Sequence, residues 1–140
     1  MHLKQSDLFL GLGHYFIKET MAIAENVSYK SGEYIFREGD PADFFYIVIK
    51  GKIHLIRGDP GQVVYTTSGV GDLFGCSCLM GWEFYFLSAQ CKEASVLLRL
   101  DQKKMNRILD KDIDNSLLYF KNLAGALGKR LMQMYQKSAS

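Results

Sequence analysis

Apolar and polar positions follow two periods along this chain. Between Val27 and Arg99, short aromatic and β-branched runs are cut by breaks rich in Gly, Pro and Asp. That pattern predicts strands over Val27–Lys30, Tyr34–Phe36, Phe44–Ile49, Lys52–Arg57, Val63–Thr67, Ser88–Lys92 and Ser95–Arg99. The breaks Arg37–Asp43, Asp59–Gly61 and Ser68–Asp72 read as turns. Many short strands joined by Gly-bearing turns imply a sandwich or a jelly roll. On either side the period lengthens. Asp7–Ala24 reads as helix, with Ser6 or Asp7 as cap and Gly11 and Gly13 dividing it in two. Asp101–Leu109 reads as a short helix capped by Asp101. The expected organisation is one domain: an N-terminal helical segment (1–26), a β-roll (27–100) and C-terminal helices (101–137).

The last segment carries the longest regular pattern. Ile113, Leu117, Phe120, Ala124, Leu127, Leu131 and Met134 are spaced by alternating steps of four and three. Held through about three heptads, such spacing is a coiled-coil seam. Tyr119, Leu123 and Ala126 make a second stripe that could face the roll. The reading adopted is a helix shared between a homodimer seam and the protein's own core. The terminal Lys137-Ser138-Ala139-Ser140 reads as a polar tail without structure of its own.

The run Gly32-Glu33-x-Ile35-Phe36-x-Glu38-Gly39-Asp40-Pro41-Ala42-Asp43, followed by Tyr46-Ile47 and Gly51, resembles the cyclic-nucleotide-binding domain of Crp/Fnr-type regulators. The similarity continues through Gly69-Val70-Gly71-Asp72-Leu73-Phe74-Gly75 to Leu98-Arg99-Leu100-Asp101. The resemblance implies a double-stranded β-helix (jelly roll) with N-terminal helices and a long C-terminal helix that dimerises and completes the ligand site. It also implies a short turn and helix after Phe74-Gly75, where backbone N–H groups cradle a phosphate. In the family a Glu after the Gly takes the ribose hydroxyl and an Arg pairs with the cyclic phosphate.

Here those two positions hold Cys76 and Leu87, and no Arg or Lys lies between Gly58 and Gln90. A phosphate without its cation loses a charge-assisted bond of roughly 1.5–3 kcal/mol, on the order of tenfold to hundredfold in affinity. The candidate ligand-binding set is Phe74, Gly75, Cys76, Ser77, Cys78, Leu87, Ser88 and Ala89, with Ser77 and Ser88 as hydroxyl donors. Two readings compete: a pocket re-purposed for an uncharged, apolar or aromatic molecule, and a vestigial pocket filled by its own side chains. A divergent subgroup of the superfamily carries Gly-Trp-Ser at this place and lacks the Arg; Gly75-Cys76-Ser77 resembles it. No cofactor is assigned. A cyclic nucleotide with atypical contacts is the third alternative.

Composition narrows the classes further. The chain has 140 residues, 48% hydrophobic and 23% charged, with a formal net charge of +2. That charge alone argues neither for nucleic acid nor for an anionic membrane. No apolar run is long enough to span a bilayer, and the N-terminus lacks the pattern of a signal peptide. Three cysteines, Cys76, Cys78 and Cys91, without framework spacing suit reduced thiols in the cytoplasm. Cys76 at a helix start invites a redox-sensor reading, against the commoner role of a buried Cys as a small hydrophobe. His14 and His54 have no metal-ligand partners at suitable spacing; His54 should face outward between Ile53 and Leu55. Only Tyr135–Ser140 follows the seam, too short for a DNA-reading helix pair, so direct DNA binding is not expected. No constellation for catalysis is legible, and a non-enzymatic regulator is the expectation.

Overall fold

The computed structural model describes residues 3, 6–67 and 69–139, with side chains through 137. Ser68, in one of the expected turns, lies outside the described residues. Eight strands form: β1 (Glu25–Tyr29), β2 (Tyr34–Phe36), β3 (Phe44–Lys50), β4 (Ile53–Arg57), β5 (Gln62–Thr66), β6 (Leu73–Phe74), β7 (Ser88–Cys91) and β8 (Ser95–Asp101). They pair antiparallel in two four-stranded sheets, ordered β1-β8-β3-β6 and β2-β7-β4-β5. The expected jelly-roll architecture is therefore present, with helices flanking it.

The alternation of buried and exposed positions explains the layering. Phe45, Ile47, Ile53, Leu97 and Leu100 are fully buried; Tyr46, on the opposite face of β3 from Phe45 and Ile47, meets Phe36 of the other sheet. Ile53 and Leu55 point inward and His54 lies half-buried on the opposite side, as a period of two requires. The strand β6 is not among the strands expected from the sequence, and it begins just after the expected turn Ser68–Asp72. Two residues are too few to show a period, and its pairing with Tyr46 and Ile47 of β3 is supplied by tertiary contact.

The N-terminal segment divides as expected at Gly11 and Gly13. A short 3-10 turn, Asp7–Phe9, precedes helix α1 (His14–Ile23). Asp101 caps α2 (Gln102–Lys111), accepting from the Lys104 N–H at 3.1 Å. Helix α3 then runs from Ile113 to Ala139, so the segment read as a loose tail is helical through Ala139.

Helix α3 is tied to the rest of the chain along one face. Tyr119 and Leu123 are buried, and the Tyr119 ring packs edge-on to Phe9 at 6.0 Å and against Phe16 at 6.3 Å. Asn122 Nδ2 donates to the Leu8 and Leu10 carbonyls at 3.1 and 2.9 Å. Asn115 Oδ1 accepts from the Gly13 N–H at 2.9 Å. These bonds satisfy backbone groups that the irregular N-terminal segment would otherwise leave open. On the opposite face Ile113 and Leu117 are 81% and 73% exposed. No helix among the described residues is long and apolar enough to cross a membrane.

Candidate functional site

The site is built around Gly75. Its φ of 74° is left-handed, a conformation Gly adopts without cost. A Cβ there would lie 3.2 Å from Tyr46 Cδ1 and 3.3 Å from Phe36 Cε2, tighter than ordinary contact. Gly75 thus turns the chain out of β6 into the 3-10 turn Cys76–Met80 while passing close over an aromatic layer. That layer is well filled: Phe36 and Tyr85 stack at 3.6 Å between centroids, and Tyr46 and Phe74 at 5.2 Å.

Phe36 and Tyr85 of that layer, together with Gly75, also line a cavity of about 160 Å³. The roll contributes Phe36, Leu55, Val64, Tyr65, Leu87 and the Gly75-Cys76-Ser77 turn. Helix α3 closes it with Leu127, Arg130 and Met134. Of the residues expected to bind ligand, Gly75, Cys76, Ser77 and Leu87 line this space. Four do not. Phe74 is fully buried under the turn, stacked on Tyr46, because β6 alternates it into the core. Ala89 is fully buried in the core. Ser88, next to it, takes the other face of β7 and accepts from the Glu38 N–H at 2.9 Å. Cys78 folds back over its own turn, its Sγ donating to the Gly75 carbonyl at 3.7 Å.

The expected seam also divides. Ile113, Leu117, Phe120, Ala124 and Leu131 are exposed, whereas Leu127 and Met134 turn toward the roll and line the cavity. A straight helix drifts about 20° per heptad against a strict seven-residue repeat, so one stripe serves two surfaces along α3.

The residue that the sequence reading missed is Arg130. Its Nη2 donates to Asp72 Oδ1 at 3.0 Å and also to the Leu73 carbonyl. Both side chains of the ion pair are only 15% exposed. The guanidinium lies over the Tyr65 ring, with Cζ 4.4 Å from its centroid. Asp72 is held from other directions too, accepting from Tyr65 Oη at 2.8 Å and from the Leu73 N–H at 2.9 Å. The stretch between Gly58 and Gln90 holds no Arg or Lys, and the cation beside it comes from the last helix. The spacing 127, 130, 134 sets all three wall residues on one face of a helix and was legible as such. What no local pattern carried was the fold-back that brings Arg130 to a residue 58 positions earlier. Beyond Arg130 a more polar groove, lined by Asp7, Asp72, Lys129 and Gln133 among others, opens to solvent.

The cysteines are poor nucleophiles here. Burial pushes the Cys76 thiol up to about 11, which the neighbouring Arg130 only partly offsets. Cys78 is pushed up to about 12, by burial first and by Cys76 second. The lowered thiol pKa that a helix start would give Cys76 is thus reversed, and with it the basis of the redox-sensor reading. Burial, followed by the bond to Asp72, raises the Tyr65 phenol. Among the described residues, no group of three or more His, Cys, Asp or Glu could hold a metal ion.

A mainly β roll is thus closed by a terminal helix over a small cavity. The chain belongs to the cyclic nucleotide-binding domain family, whose model matches residues 26–112. It is 27% identical over 112 residues to the cAMP-dependent protein kinase regulatory subunit of Schizosaccharomyces pombe, covering 80% of this chain and 27% of that protein. To the Cyclic AMP receptor protein of Thermus thermophilus it is 29% identical over 133 residues, covering 94% of this chain and 60% of that protein. It thus spans less than two thirds of either relative. A putative cyclic nucleotide-binding protein from Geobacter metallireducens shares the fold, with a TM-score of 0.82 at 22% identity, covering 92% of this chain and 95% of that one. The family match ends before α3, so Leu127, Arg130 and Met134 lie beyond it.

Proposed function

We propose that this chain is a non-enzymatic regulatory module of the cytoplasm that binds a small molecule between the roll and α3, and that it signals through the position of that helix. The observation that carries this reading is the shared cavity wall. Leu87 and the Gly75–Ser77 turn stand on one side, and Leu127, Arg130 and Met134 on the other. An occupant touching both halves shifts the equilibrium of α3 by its differential affinity for the two helix positions. The exposed residues Ile113, Leu117, Phe120, Ala124 and Leu131 would carry that shift into a homodimer seam. The ligand class is small and largely apolar or aromatic. Cyclic AMP fits less well, since Cys76 and Leu87 stand where the family places its acid and its Arg.

A second reading, a ligand-free interaction domain, is favoured by one fact: Asp72 already neutralises Arg130 inside the protein. Thermal melting against a panel of nucleotides and small apolar molecules separates the two. Ligand-linked stabilisation supports the first reading; flat curves across the panel support the second.

A further inference from the structure

We propose that the occupant of the cavity is a ring-sized monocarboxylate, an aryl or short branched carboxylic acid, whose carboxylate is gripped by Arg130 in competition with Asp72. The inference rests on the cavity being a ligand site and adds what that ligand is.

Size sets the first limit. Cavities of about 150 Å³ lined by apolar side chains take up a benzene-sized guest. At about 160 Å³ this one matches a single ring with a small substituent more closely than a purine nucleotide. Chemistry sets the second. Most of the wall is apolar: Phe36, Leu55, Val64, Leu87, Leu127 and Met134. The charged side chain at its edge is Arg130, itself largely buried. A planar guanidinium fork matches the two coplanar oxygens of a carboxylate and pairs with them bidentately. Ser77 also lines the cavity.

The exchange of partners is physically accessible. Asp72 keeps the Tyr65 hydroxyl and the Leu73 N–H when Arg130 turns away, so its carboxylate is not abandoned. The guanidinium in turn keeps an anionic partner throughout. Because Arg130 sits one turn from both Leu127 and Met134, re-aiming it re-seats the end of α3 against the roll.

The test is calorimetric titration and thermal melting with three probes: benzoate, its neutral near-isostere toluene, and cyclic AMP. Wild type should bind benzoate more tightly than toluene, but by less than the roughly tenfold of one full charge-assisted bond, because the Asp72 contact is given up. Arg130→Gln should abolish that preference. Asp72→Asn, which removes the internal competitor and keeps Arg130, should strengthen benzoate binding; it serves as an independent check if Arg130→Gln fails to fold. Equal binding of benzoate and toluene, weaker benzoate binding in Asp72→Asn, or binding of cyclic AMP alone overturns the carboxylate assignment while leaving the ligand-binding reading intact. Binding of none of the three probes overturns this assignment, and flat melting curves across the wider panel then overturn the ligand-binding reading as well.

Discussion

The two sides of Gly75 are made of the same kinds of residue and are put to different use. Below it, Phe36, Tyr46, Phe74 and Tyr85 fill their space with stacked rings. Above it, Phe36 and Tyr85 again, with Leu55, Leu87 and Leu127, surround an unfilled volume that Arg130 of α3 borders. A filled aromatic layer gains dispersion and burial and holds the roll rigid. An unfilled pocket beside a buried ion pair forgoes that gain, and such departures from close packing concentrate where a protein does its work. On the proposed reading, the filled layer holds the fold and the unfilled space takes the ligand.

Perturbations on each side should behave differently. The largest effect is expected below. Phe36→Ala removes a ring stacked at 3.6 Å on Tyr85 and should cost about 3–5 kcal/mol in urea unfolding. A loss under 1 kcal/mol would mean that the aromatic layer is not the source of stability. Above the glycine, Arg130→Met should cost about 1.5–3 kcal/mol, the range for a hydrogen bond to a charged group. The loss should shrink when Asp72→Asn is made in the same chain, since the two side chains are paired.

Next comes the outer face of α3. Leu117→Glu lies away from the roll at 73% exposure, so it should leave monomer stability within about 0.5 kcal/mol. In analytical ultracentrifugation it should nonetheless convert dimers to monomers. An unchanged dimer would remove the seam from the account. Leu127→Glu is a poorer probe of the same question, because Leu127 lines the cavity. The smallest effect concerns His54. Burial first, then Lys92 and Lys137, lowers its pKa below the ordinary 6.5. The unfolded chain therefore takes up the proton first, and stability should decline as pH falls from 6.5 through the lower folded value. His54→Gln should flatten that part of the pH–stability profile.

Much of this molecule is written in short-range pattern. The runs around Tyr34–Phe36 and Phe44–Ile49 name their own strands, and Asp101 announces its cap. The cavity floor was legible too, since Gly75-Cys76-Ser77 follows a recognisable turn. Three things were not. Leu73–Phe74 is too short to show a period. Ser88 looked like a pocket hydroxyl until the pleat of β7 turned it toward Glu38. Arg130 was invisible to a search of the roll's own residues, because electrostatic partners are chosen by tertiary contact and not by proximity along the chain. The heptad stripe was visible, but its split between the outer face and the cavity depends on how α3 rests on Phe9 and Phe16.

The central claim is that the space between the roll and α3 is a binding site. The most direct measurement compares wild type with Met134→Trp, which fills that space from the helix side, in thermal melting with and without a ligand found in the panel. The account predicts that the ligand stabilises wild type by about 2.7 kcal/mol at a hundredfold excess over its dissociation constant, and leaves the filled variant unmoved. Equal stabilisation of both proteins would place the ligand elsewhere and contradict the account.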